Sequence, residues 1–84
     1  MKLLKLYADW CGPCKALSMT LGKMDIHIPI EEVNIETNKD IAIKYGVRSI
    51  PTMILVDEHD MSELRKLTGN ANENQIKEFL GEYA

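Results

Sequence analysis

The sequence predicts an α/β fold: a mixed four-stranded sheet in the order β-α-β-α-β-β-α, flanked by three helices. Three observations lead there. Apolar residues alternate at a strand period in some segments and at a helical period in others. The opening strand, helix and strand imply a right-handed crossover and a parallel strand pair. A polar turn between two later β-rich segments closes a hairpin, which adds antiparallel strands. At 84 residues the chain is expected to form one domain, 1–84. A domain of this size buries roughly 60–65% of its unfolded surface and folds alone with little margin.

Each element has its own signals. In Lys2–Ala8, Leu4 and Leu6 face one way, Lys5 and Tyr7 the other, with Leu3 as an extra apolar residue; this reads as a central strand with helices near both faces. Cys14, Leu17, Leu21 and Met24 then repeat as one stripe of an amphipathic helix that Gly22 weakens near its end. The next strand lies within Ile28–Ile35. Pro29 lacks an N–H, so that strand should start late or lie on an edge. Asn38 is placed to cap a short helix, Lys39–Tyr45, with Ile41, Ala42 and Tyr45 inward, Asp40 paired with Lys44 outside, and Gly46 as its stop. Thr52–Val56 is a strand, Asp57–Asp60 a polar turn, and Glu63–Thr68 the returning strand. Asn72 and Gln75 form a capping box for the last helix, with Ala71 and Ile76 as a hydrophobic staple. Ile76, Phe79, Leu80 and Tyr83 form its buried stripe.

Composition narrows the function. Hydrophobic residues make up 45% and charged residues 27%, as in an ordinary soluble globule. A net charge of −3 with interspersed acids and bases argues against nucleic acid as the partner. The apolar stretch after Met1 is too short for a signal peptide, and nothing approaches a membrane span. The expected setting is the cytoplasm, where paired cysteines are more often catalytic than structural. The methionines at 19, 24, 53 and 61 are expected as core filler; His27 and His59 belong to loops.

Trp10-Cys11-Gly12-Pro13-Cys14 carries the chemistry. It follows a strand, opens a helix, and holds both cysteines of the chain. A thiolate at a helix N-terminus is favoured by unpaired N–H groups and by the dipole, and the thiolate is the reactive form. Cys14 lies one turn on, within reach of a disulfide. A structural disulfide across so short a loop would stabilise little. A structural zinc site needs four ligands; only His27 and His59 remain, and neither their spacing nor their context suggests a finger. No metal and no cofactor is expected. Cys11 and Cys14 are therefore read as a redox couple, with Trp10 partly exposed beside the sulfur.

These residues resemble the thioredoxin family, and in particular its small, glutaredoxin-sized members. Trp10–Lys15 matches the family's active-site motif without a mismatch, and Ile50-Pro51-Thr52 matches its cis-proline segment, preceded by the similar Tyr45–Ser49. Gly69 matches the glycine that lines the substrate groove. The resemblance implies a thioredoxin-like fold and a thiol–disulfide oxidoreductase that reduces protein disulfides. Cys11 and Cys14 would be catalytic, supported by Trp10, Gly12, Pro13 and Pro51, with Ile50, Thr52 and Gly69 in the groove. A cis bond before Pro51 would present the Ile50 backbone to an extended client. The Gly-Pro dipeptide implies a reducing catalyst; a monomer is expected, fed by a separate thioredoxin reductase or glutathione system. A glutathione-dependent, glutaredoxin-like enzyme is one alternative. Size favours it; Gly-Pro and the lack of a Gly-Gly pair after the last strand oppose it. A non-catalytic binding module on the same scaffold is the other, opposed by the intact cysteines and proline.

One departure stands out. The family keeps a buried aspartate on the first strand, where this chain has Lys5, and a nearby lysine, where it has Glu32. The pair is inverted rather than lost. Glu32, assisted by Lys5, is expected to handle the proton of Cys14 as a proton-transfer pair; the alternatives are two surface residues, or Glu31 facing inward in another register.

Overall fold

The computed structural model describes residues 1–83. The elements run β1 (Lys2–Tyr7), α1 (Gly12–Gly22), β2 (Ile30–Asn34), α2 (Lys39–Lys44), β3 (Thr52–Val56), β4 (Glu63–Thr68) and α3 (Glu73–Leu80), with a final 3-10 turn, Gly81–Tyr83. The sheet order is β2-β1-β3-β4. β1 pairs parallel with β2 and antiparallel with β3; β3 pairs antiparallel with β4. The expected topology is thus present.

β1 is central and buried from Leu3 to Leu6 because both sheet faces are covered. Leu3, Met53 and Leu55 pack against Leu17 and Leu21 of α1 and Ile76 and Leu80 of α3. Leu4, Leu6, Ile54 and Val56 pack on the other face with Tyr45, Ile41 and Ala42 at α2. Pro29 has both expected effects: β2 starts at Ile30 and forms a sheet edge. Gly46 follows α2 at φ +66, a left-handed conformation that glycine adopts without strain. The capping box of α3 is complete, Asn72 accepting from Gln75 N at 2.8 Å and Gln75 accepting from Asn72 N at 2.9 Å.

Several local expectations are corrected. Met24 lies beyond the end of α1, although it still packs on the core. Asn38 occupies the N-cap of α2 without capping it: its amide donates to the Asn34 carbonyl and the Thr37 hydroxyl instead. Asp40 and Lys44 form no ion pair; the Lys44 ammonium lies 5.2 Å from the Tyr45 ring centroid. Met19 is 67% exposed rather than core filler, because the buried stripe of α1 is Cys14, Leu17 and Leu21. Among the described residues no helix is long and apolar enough to cross a membrane.

Candidate active site

α1 begins at Gly12, earlier than the apolar stripe alone indicates, and Cys11 is its N-cap. Pro13 in the first turn has its φ already set and gives up an N–H that the helix would leave unpaired. The capping position is usually held by Ser, Thr, Asp or Asn. Here the Cys11 Sγ takes it, accepting from Cys14 N at 3.1 Å. The first turn contains no acid, so no carboxylate competes with a sulfur anion for the positive end of the helix.

Cys11 and Cys14 are joined as a disulfide, with their Cα atoms 5.3 Å apart. Cys11 is 4% exposed and Cys14 1%, so the first sulfur is the outer one of a recessed pair. Ala8 and Ile50 pack around them. Trp10 stands beside the pair at 69% exposure.

The loop before β3 brings the rest of the expected groove. The Ile50–Pro51 bond is cis. The Pro51 carbonyl accepts from Gly69 N at 2.8 Å, which ties this loop to the end of β4. Gly69 has φ +91, and open space lies where a side chain would project. Among the described residues, neither the N–H nor the carbonyl of Ile50 takes a hydrogen-bond partner outside the regular elements. Thr52, expected in the groove, is buried, and its hydroxyl donates to the Ser49 carbonyl at 2.8 Å. It fixes the loop rather than facing a ligand.

Lys5 and Glu32 are brought together. They are register partners across β1 and β2, and Lys5 Nζ lies 3.3 Å from Glu32 Oε1. Their burial is unequal: Lys5 is 2% exposed and Glu32 53%. Glu31 points elsewhere and pairs with Lys2 at 2.5 Å. The sequence reading missed Ser18. Its hydroxyl accepts from Lys5 Nζ and donates to Glu32 Oε1 at 3.3 Å. The available signal was spacing: Ser18 is four residues after Cys14, on the same face of α1. Lys5, Ser18, Glu32 and Cys14 line one cavity of about 230 Å³ that opens to the surface.

The site is thus a recessed, disulfide-bonded cysteine pair at a helix N-terminus, set in a mixed sheet with helices on both faces. A family model described as Thioredoxin matches residues 1–82, and the chain belongs to the thioredoxin family. It is 33% identical over 82 residues to the mitochondrial thioredoxin of Mus musculus, covering 93% of this chain and 48% of that protein. It is 32% identical over 82 residues to the thioredoxin of Pseudomonas aeruginosa, covering 93% of this chain and 74% of that one. The chain thus spans about half the length of the first relative and three quarters of the second. Among solved structures, a mutant thioredoxin from Halobacterium salinarum superposes with a TM-score of 0.81 at 29% identity, covering 98% of this chain and 73% of that one.

Proposed function

We propose that the chain reduces disulfides in protein clients by thiol–disulfide exchange, as one domain, 1–84, acting as a monomer. The observation that carries this reading is the position of the Cys11 sulfur. It caps α1, where an N–H already points at it and the helix dipole favours an anion. In the reduced protein the Cys11 thiolate attacks one sulfur of the client disulfide. A mixed disulfide forms, and the other client sulfur leaves as a thiolate. Cys14 then loses its proton and attacks Cys11 Sγ. The Cys11–Cys14 disulfide closes, and the second client sulfur departs with the electron pair.

The free main-chain groups of Ile50 and the open space beside Gly69 support an extended client segment lying across the groove. Trp10, Gly12 and Pro13 form the apolar shoulder next to it, and Pro51 holds Ile50 in place through the Gly69 hydrogen bond. Electrons return from a separate thioredoxin reductase or from a glutathione system, in a reducing compartment such as the cytoplasm. The residues between the cysteines favour reduction over oxidation of clients, because Gly-Pro is the thioredoxin dipeptide.

The test is an insulin-reduction assay with the parent protein, Cys11→Ser and Cys14→Ser. The parent is expected to reduce the disulfides catalytically and both variants to lose the activity. Cys14→Ser should also accumulate clients as stable mixed disulfides. Turnover surviving in Cys11→Ser would remove the proposal. Running the parent assay with a thioredoxin reductase against glutathione separates the two electron donors.

A further inference from the structure

Among the described residues, Lys5 is the only charged side chain in the core. A buried ammonium is costly unless paired. Its carboxylate partner, Glu32, is half in solvent, where water screens its charge. The charge enclosed behind the cysteines is therefore positive.

The surroundings are defined on every side. From β1, Lys5 lies 5.3 Å from the Tyr7 ring centroid. From α1, the cavity is lined by Cys14, Lys15 and Ser18; from β2, by Glu32. Asp9, in the β1–α1 loop, stands at the rim and is exposed. The β3 neighbour of Lys5 is the apolar Met53. Lys15 and Asp9 are exposed and of opposite sign, so the buried cation that lines the cavity together with Cys14 is Lys5.

We propose that Lys5 is a positioning residue for the second half of the exchange: its ammonium stabilises the Cys14 thiolate across the shared cavity, Ser18 anchors that ammonium, and Glu32 marks the mouth through which the Cys14 proton leaves. The inference rests on the reading of Cys14 as the resolving cysteine. The Cys14 S–H bond breaks, and its proton passes to water at the mouth beside Glu32. The electron pair left on Cys14 Sγ forms the bond to Cys11 Sγ and displaces the client sulfur. A cation lining the same cavity favours this ionisation, and a buried charge is screened less than one at the surface.

Stopped-flow reaction of the reduced full chain with an aryl disulfide that releases a coloured thiolate resolves both halves. The first release reports Cys11; the second reports attack by Cys14. The parent, Lys5→Met, Ser18→Ala and Glu32→Gln are compared across pH. Lys5→Met is expected to raise the pH midpoint of the second release by about one unit, about tenfold slower at neutral pH, with the first release changed far less. Ser18→Ala should shift it the same way by less. Glu32→Gln removes the counter-charge and should lower the midpoint or leave it in place.

An unmoved midpoint in a folded Lys5→Met protein overturns the inference. So does a rise in Glu32→Gln as large as that in Lys5→Met, since the carboxylate would then be the base. If Lys5→Met fails to fold, the two rim variants decide: no shift in Ser18→Ala together with slowing in Glu32→Gln overturns it. A parent that shows no second release contradicts the proposed exchange itself, and so is distinguishable from a failure of Lys5 alone.

Discussion

At the scale of single residues, the two sulfurs of one short motif occupy unlike sites. Cys11 holds the end of α1 and Cys14 lies inside it. Alkylation of the reduced protein at neutral pH should therefore modify Cys11 well before Cys14, as read by peptide mass after a short pulse of iodoacetamide. Equal labelling would contradict the N-terminal placement of the reactive thiolate. Far from this site, the Asp60 carboxyl is held below the usual carboxylate range, first by the backbone hydrogen bond from Ser62 and then by the Ser62 hydroxyl. A lowered folded value means stability that is present above the unfolded value, about 3.9, and is lost as pH falls through the folded one. Asp60→Ala should be less stable than the parent at neutral pH. In strong acid the difference between their denaturation midpoints should close. The cysteines were legible as residue types at fixed spacing, and Pro51 and Gly69 through the family resemblance. Ser18 was not, because a serine on a helix has no chemistry of its own until a buried ammonium faces it.

At the scale of elements, α1 does two tasks with different residues. Gly12 and Pro13 begin it where the sulfur is needed, while Leu17 and Leu21 hold it against the sheet. Leu17 is fully buried, and Leu17→Ala should cost about 2–5 kcal/mol in denaturant unfolding at an unchanged m-value. α3 is short and depends on its start. Removing the Asn72 side chain breaks one half of a reciprocal pair, so Asn72→Ala should cost about 1 kcal/mol. The same residue type at Asn38 donates backwards to Asn34 instead. Propensity placed both asparagines at helix starts. Only the path of the chain before each one decided which could cap: the Asn38 amide donates to the Asn34 carbonyl of the preceding turn, and its side chain accepts no N–H from α2.

At the scale of the molecule, a small core limits how much any one change can be tolerated. A domain of this length is stabilised by roughly 5–10 kcal/mol, so one core truncation such as Leu17→Ala removes a large share. The disulfide closes a loop too short to constrain the unfolded chain strongly. Its loss should therefore lower stability by no more than about 2 kcal/mol and leave the protein folded. Circular dichroism of the reduced protein during thermal melting checks this. A reduced form unfolded at room temperature would mean that the cysteine pair is structural. Folding in both redox states is what a recycling couple requires. The sheet is expected to supply it, because the buried segments Leu3–Leu6 and Met53–Val56 contain neither sulfur.

The amino-acid sequence by itself determined the order of elements, the parallel-then-antiparallel sheet, the edge position of β2 and the cysteine pair at a helix start. These follow from local periodicity, from proline and glycine chemistry, and from spacing within one turn. Tertiary structure alone decided which charge lies inside. Lys5 and Glu32 are register partners 27 residues apart. Alternation along β1 gave the face of Lys5, but only the packing of α1 over the central strand enclosed its ammonium. The edge position of β2 left Glu32 half in water. The sign of the charge behind Cys14 thus comes from the difference between a central strand and an edge strand, which no single segment carries.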